Sequence, residues 1–244
     1  MQKIEIIHKP TDEKPFLIIY KPKGLPSAPL SADDSDNALA QAVIEFPALA
    51  ELKGRKEIEH GLLHRLDNAT DGLLLIAATQ ECYDFLMAEQ EAGRITKTYS
   101  AECDIIKNNA ELLEGFPPDL PSLPKVTSYF RPYGEGRKEV RPVTEKSGKA
   151  ALSKLGKPKL YTTNIQINKI SETKALATCK ITNGYRHQVR CHLAWAGFPV
   201  SGDQLYNSKD KKKAENLLKF SATSICFEYP RGDLNSYDRK DTWT

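Results

Sequence analysis

Apolar positions along the chain follow two periods, and the changes between them mark elements. Phe16 to Tyr20 is a short apolar run that stops at Lys21-Pro22-Lys23-Gly24-Leu25-Pro26. Two prolines and a glycine forbid continuation there, so a strand feeding a fixed turn is expected. Leu39, Val43 and Ile44 then fall at helical spacing behind the cap-rich SADDSDN, which predicts a surface helix with polar flanks. Leu73 to Ala78 reads LLLIAA without a break, bounded by Asp71-Gly72 and Thr79, and suits a strand buried on both faces. Cys82 to Ala92 predicts a helix with Phe85, Leu86 and Met87 in its interior and Gly93 at its end. In Thr96 to Cys103, alternation puts Lys97 and Tyr99 on one strand face.

Residues 108–160 hold seven of the fifteen prolines together with GEGRKE and KSGKA, so long loops or a ragged insertion are expected. Tyr161 to Ile170 and Lys174 to Ile181 alternate on either side of Ser171-Glu172-Thr173 and predict a hairpin, with Ala175, Ala177, Cys179 and Ile181 on one face. Gln188 to Ala196 predicts a helix with Val189, Leu193 and Ala196 on one stripe, Arg190 pointing elsewhere, and Gly197 as the stop. Neither a repeat nor a linker interrupts the pattern, so a single α+β domain over residues 1–244 is the expectation.

Composition narrows the class. Hydrophobic residues make up 40% of the 244 and charged residues 27%, which excludes a disordered polyelectrolyte. No apolar run approaches the ~18 residues of a spanning helix and no signal-peptide core opens the chain, which leads us to expect a soluble cytoplasmic protein with no membrane partner. The net charge of +3 permits a polyanionic partner without demanding one. Five cysteines without a CxxC pair indicate reduced, mostly buried thiols.

Two strings concentrate polar chemistry. HRLDNATDGLLLIA, from His64, sets an arginine, an aspartate and a threonine on a turn that runs into the buried strand, where a rigid scaffold presents catalytic groups. A capping turn built from Asp67, Asn68 and Asp71 accounts for the same residues on local grounds. GYRHQVRCHLAWAGFPVSGDQLY, from Gly184, sets Arg186, His187, Gln188 and Arg190 about the first turns of a helix, where backbone N–H groups favour anions. A solvated basic helix face accounts for it equally well.

With two further elements these strings resemble the RluA family of pseudouridine synthases. The family's HRLD followed by xxTSGLLLxA is met by His64, Arg65, Leu66, Asp67, Thr70, Gly72 and Leu73 to Leu75 with Ala77. GRxHQIRxHLAxxGxPIxGDxxY is met by Gly184, His187, Gln188, Arg190, His192, Leu193, Ala194, Gly197, Pro199, Gly202, Asp203 and Tyr206. KxYxA appears as Lys97, Tyr99 and Ala101, and KPxGLPxxP begins at Lys21. Asp71 stands where the family usually has serine and Tyr185 where it has a basic residue. Ser221 and Tyr229 replace two histidines.

The resemblance implies a bent, mostly antiparallel mixed sheet flanked by helices, with a central active-site cleft. It implies isomerisation of uridine in rRNA or tRNA, without metal, organic cofactor or obligate protein partner. Asp67 would be the nucleophile, Tyr99 the aromatic against uracil, and Arg190 the ion-pair partner that keeps Asp67 charged. Arg65, Lys97, Arg186, His187 and Gln188 would contact the substrate, with Arg65 filling the space left by an extruded uridine. Lys209, Lys211, Lys212 and Lys213 would extend the phosphate contacts. Many members carry a small RNA-binding module before KPxGLPxxP; twenty residues precede Lys21 here, so the catalytic domain is expected to find its RNA alone. Three rival readings are a hydrolase using Asp67 and Asp71 as a carboxylate pair, an RNA-binding factor without turnover, and a metal site from His60 with His64 or His187 with His192.

Overall fold

The computed structural model describes residues 2–106, 113–155, 159–209, 218–230 and 232–241. Lys211, Lys212 and Lys213 lie outside them. In chain order the elements are β1 (Glu5–His8), β2 (Phe16–Lys21), α1 (Ala38–Glu45), β3 (Asp71–Ala77), α2 (Gln80–Glu91), β4 (Thr96–Asp104), β5 (Lys125–Tyr133) and β6 (Glu139–Val143). After these come α3 (Lys149–Leu152), β7 (Tyr161–Lys169), β8 (Lys174–Ile181), α4 (Gln188–Trp195), β9 (Phe220–Glu228) and β10 (Leu234–Asp238). Mostly antiparallel strands with short helices make an α+β chain. It divides into two compact units, residues up to Thr98 with those from Ser221 onward, and Tyr99 to Phe220.

In the first unit the strand order is β1-β2-β3-β9, with β10 also paired to β9. β2 and β3 pair antiparallel from Phe16 opposite Ala77 to Lys21 opposite Gly72. β3 is buried along its whole length, as its unbroken apolar run predicts. Its core joins Phe16, Ile18, Leu73 and Leu75 to Cys82, Tyr83 and Leu86 of α2 and to Ile225 and Phe227 of β9. Thr79 caps α2 by accepting from the Cys82 amide, and Gly93 follows with φ +75°, the conformation its predicted role as a helix stop requires. α1 forms where the spacing predicts it, with Asn37 as its cap, but its buried face is Ala38, Leu39 and Ala42 while Ile44 points into solvent.

In the second unit the order is β4-β8-β7-β5-β6. The predicted hairpin is present as β7 and β8, and Ala175, Ala177, Cys179 and Ile181 are its buried face. The stretch 108–160, expected as loops, contains the strands β5 and β6, with Pro132 and Pro142 inside them. β5 pairs with β7 only from Lys125 to Ser128 and with β6 only from Tyr129 to Tyr133. Each stretch of β5 therefore has one partner in these ladders, and edge-like strands tolerate proline because a missing N–H breaks no ladder bond. All eight residues of α4 are buried, which overturns a solvated basic face. Cys191 and Ala194 of α4 pack with Phe130 and Val140.

Gly72 is a checkable joint. Its φ is +137°, and a Cβ there would stand 2.3 Å from the Ala222 carbonyl oxygen on β9. Gly72→Ala is expected to cost about 3 kcal/mol of unfolding free energy, measured by urea denaturation. An unchanged midpoint would show that the β3–β9 approach is loose.

Candidate active site

The loop between the first unit's Leu63 and β3 is fastened along its length. Ser27 Oγ donates to the Leu66 carbonyl and accepts from the Leu66 amide, both at 2.9 Å. The Gly24 amide donates to the Asn68 carbonyl at 2.7 Å, and the Thr70 amide donates to the Asp67 carbonyl at 2.9 Å. Gln90 holds the Leu63 carbonyl from α2. Asp67 is thus half-buried on a preformed turn. Arg65 beside it is exposed, with Nη1 3.3 Å from Glu59.

Beneath this loop lies Lys21, fully buried, whose Nζ donates to the carbonyls of Pro22, Leu25 and Asn68 at 3.0, 2.8 and 3.4 Å. Burial lowers its pKa to about 8, against the opposing pull of Asp71 and Asp67. Asp71 is itself buried: Tyr20 and Ser221 each donate a hydroxyl hydrogen bond of 2.8 Å to its carboxylate, and Lys23 stands 3.6 Å away. Both oxygens are therefore committed within the unit, which removes the base that a two-carboxylate hydrolase needs.

Lys97, expected to touch substrate, is instead inside the first unit, its ammonium donating to Gln90 Oε1 at 2.9 Å. Alternation does place it and Tyr99 on one face, but that face is the buried one. His64 accepts from the Leu75 amide through Nε2, and burial holds its pKa well below the usual imidazole range. It is a neutral residue of the interior.

In the second unit Tyr99 is nearly buried and stacks on Phe220, rings 5.2 Å apart and 7° from parallel. Arg190, on α4, is buried and grips Asp203 through Nε and Nη2, both at 2.8 Å. The other face of that exchange is structural: Asp203 Oδ1 accepts from the Leu205 and Tyr206 amides. Asp203 thus holds the guanidinium in one plane, and sequence reasoning, which matched Asp203 only as a motif letter, gave it no role. Of the expected substrate contacts here, Arg186 is exposed and donates to the Arg137 and Glu139 carbonyls. His187 takes a left-handed φ of 57° at the start of α4 and bonds the Tyr206 hydroxyl at 3.0 Å.

Gln188 corrects the expectation of a phosphate contact. It is buried, accepts from the Tyr185 amide, and donates to the Thr162 carbonyl and Thr163 Oγ1. His192 has both ring nitrogens engaged, by Ser128 and Thr163, and burial lowers its pKa to about 3. Among the described residues no group of three or more His, Cys, Asp or Glu could hold a metal ion.

A loop-borne aspartate over a buried lysine, and an arginine fixed by a second aspartate, sit on an α+β scaffold that other proteins share. A family model for RNA pseudouridylate synthase matches residues 15–195, and the chain belongs to that family. A curated relative, the ribosomal large subunit pseudouridine synthase D of Haemophilus ducreyi, is 26% identical over 208 residues, covering 85% of this chain and 54% of that protein. An uncharacterized RNA pseudouridine synthase of Bacillus subtilis is 21% identical over 236 residues, covering 93% of this chain and 68% of its own. The solved human RNA pseudouridylate synthase domain containing 1 shares the fold, with a TM-score of 0.65 at 18% identity over 99% of this chain and 85% of that one. The chain spans about half the length of the Haemophilus protein. No helix among the described residues is long and apolar enough to cross a membrane.

Lys21 and Lys97 share a consequence for pH. Burial lowers both from 10.5 to about 8. Between those values the unfolded chain binds protons that the folded chain does not, so stability rises with pH from about 8 to about 10.5. Below pH 8 the cost of the buried charges is fully present. Lys97→Met is expected to add about 1–3 kcal/mol at pH 7 and to remove about half of the alkaline rise, read from urea midpoints across that range.

Proposed function

We propose that the chain isomerises specific uridines of an RNA, rRNA or tRNA, to pseudouridine. The C1′–N1 bond breaks, uracil turns within the site, and a C1′–C5 bond forms while N1 gains the proton that C5 loses. Nothing is oxidised or reduced. The observation that carries the reading is the fastening of Asp67. A nucleophile held on a preformed turn above a buried ammonium keeps the orientation and the negative charge that attack on base or sugar needs. Tyr99 offers an aromatic surface already aligned by Phe220. Stacking of that kind is worth about 1–3 kcal/mol and tolerates rotation in the ring plane. Arg190, pre-oriented by Asp203, supplies a cation of fixed geometry to keep the nucleophile ionised.

Arg65, exposed on the same loop as Asp67, is the residue suited to replace an extruded uridine, because a planar guanidinium stacks and hydrogen-bonds at once. Arg186 and His187 contribute phosphate contacts, and the enzyme works in the cytoplasm without an obligate protein partner. The names of the bacterial relatives favour large-subunit ribosomal RNA as the target.

The test is a map of pseudouridine in total RNA from cells with and without this protein, beside rescue by variants. The wild-type chain restores the lost positions. Asp67→Asn is expected to restore none, with single-turnover rates down about a thousandfold or more at unchanged RNA affinity. Arg190→Lys, which keeps charge but not the fork, is expected to lose about a hundredfold. If no position disappears in the absence of the protein, or Asp67→Asn restores them all, the reading is wrong.

A further inference from the structure

The β5–β6 hairpin of the second unit buries two arginines directly opposite one another. Arg131 and Arg141 are register partners, so their side chains leave the same face of the pair. Between them stands the Tyr133 ring, 4.8 Å from the Arg131 guanidinium carbon and 4.3 Å from that of Arg141. Like charges placed opposite each other on paired strands are destabilising, and burial raises the cost.

The two are not equally answered. Arg141 is 2% exposed, its Nε donates to the Glu114 carbonyl and its Nη1 to the Val140 carbonyl, and its Nη2 forms an ion pair with Glu139 at 2.7 Å. The Phe116 ring covers it from one side. Arg131 is 9% exposed, its Nε is buried without a hydrogen-bond partner, and no carboxylate lies within ion-pair distance among the described residues. Burial and the neighbouring Arg141 both push its pKa down, yet a guanidinium stays protonated at any physiological pH. The surroundings add charge of the same sign. Arg137 and Lys138 lie at the hairpin tip with Glu135, Arg186 donates to its backbone, and the Glu139 carboxylate is already paired with Arg141.

We propose that Arg131, with Tyr133 and Arg141 behind it, is an anion site that receives a phosphodiester of the RNA substrate. A phosphate offers several acceptor oxygens to a planar fork of donors, and supplies the anionic partner that Arg131 does not have among the described residues. Arg141 and Arg190, by contrast, each have a carboxylate partner. The proposal rests on the reading of the chain as acting on RNA.

Two arms separate the ligand's sources. In the first, thermal melting of the whole protein is followed in inorganic phosphate against chloride at matched ionic strength. Wild type is expected to gain several degrees in phosphate, and Arg131→Met to gain none while melting no lower than wild type in chloride. In the second, binding of oligouridylate is titrated against salt. Arg131→Met is expected to weaken it about three- to tenfold and to reduce the slope of log K against log salt by about one. Arg131→Gln, which removes the charge but stays polar, is expected to lower the slope in the same way and serves if the methionine variant does not fold.

An unchanged slope with a preserved phosphate effect, or an Arg131→Met that melts lower with RNA binding intact, would overturn the site. Phosphate stabilisation lost with oligouridylate binding unaltered would reassign it to a small phosphate compound and overturn the RNA claim. Failure of wild type to form pseudouridine in any RNA strikes the enzymatic reading instead, and the phosphate arm is read independently of that result.

Discussion

A lysine ammonium removed from water must find acceptors at fixed places, and the first unit is arranged around one that does. Lys21 closes β2 with no exposed surface and reaches the carbonyls of Pro22, Leu25 and Asn68. An ammonium left unanswered in such a place costs several kcal/mol, so the turn that follows β2 and the loop that carries Asp67 are held to one geometry by the same three hydrogen bonds. Gly24 allows the φ of +84° that the turn takes, the flanking prolines stiffen it, and the Gly24 amide adds a further bond to Asn68. The charge balance follows the same logic. Asp67 and Asp71 both favour the protonated lysine, and Asp71 stays buried because Tyr20, Ser221 and Lys23 answer it in turn.

Elements declared by a clean period were legible in the sequence. LLLIAA is β3, the alternation on either side of Ser171-Glu172-Thr173 is the β7–β8 hairpin, and α2 lies between its threonine cap and Gly93. Proline count misled for 108–160, because the rule against proline in strands applies to strands with two partners and β5 never has two along one stretch. Helical spacing located α1 without saying which residues face inward. Leu39 is buried and Ile44 is not, since small Ala38 and Ala42 define the inner stripe. α4 defeats an amphipathic reading altogether, because polar Gln188, Arg190 and His192 find partners inside.

The site was legible as motifs and much less so as roles. Asp67 and Arg65 lie on one loop, and Tyr99 and Arg190 are held by Phe220 and Asp203. Lys97 and Gln188 were expected to contact substrate because they match letters of the family's motifs, and a sequence carries no sign that Gln90 or the Thr162 carbonyl waits for them. The same blindness hid Asp203 as the clamp on Arg190 and Ser221 as the partner of Asp71, 150 residues away. Polar residues of a motif divide between those that meet substrate and those that set the backbone, and only burial with named partners separates the two.

That division also explains what the departures from the family pattern do. Asp71 in place of serine and Ser221 in place of histidine are register partners on β3 and β9, joined by a 2.8 Å hydrogen bond and nearly without exposed surface. Both positions depart in this chain, and the pair is a hydroxyl donating to a carboxylate, which answers both polar groups there. Tyr185, in place of a basic residue, stacks on Phe130 at 5.0 Å, and Tyr229 packs edge-on against Phe16 and Phe85. Each departure is thus absorbed by side chains of its own unit. Among the groups that reach solvent, Arg65 and Arg186 are exposed and differ in kind: one sits on the loop that carries Asp67, the other braces the tip of the β5–β6 hairpin. A base contact and a backbone contact are distinct tasks, the first reading identity and the second fixing register.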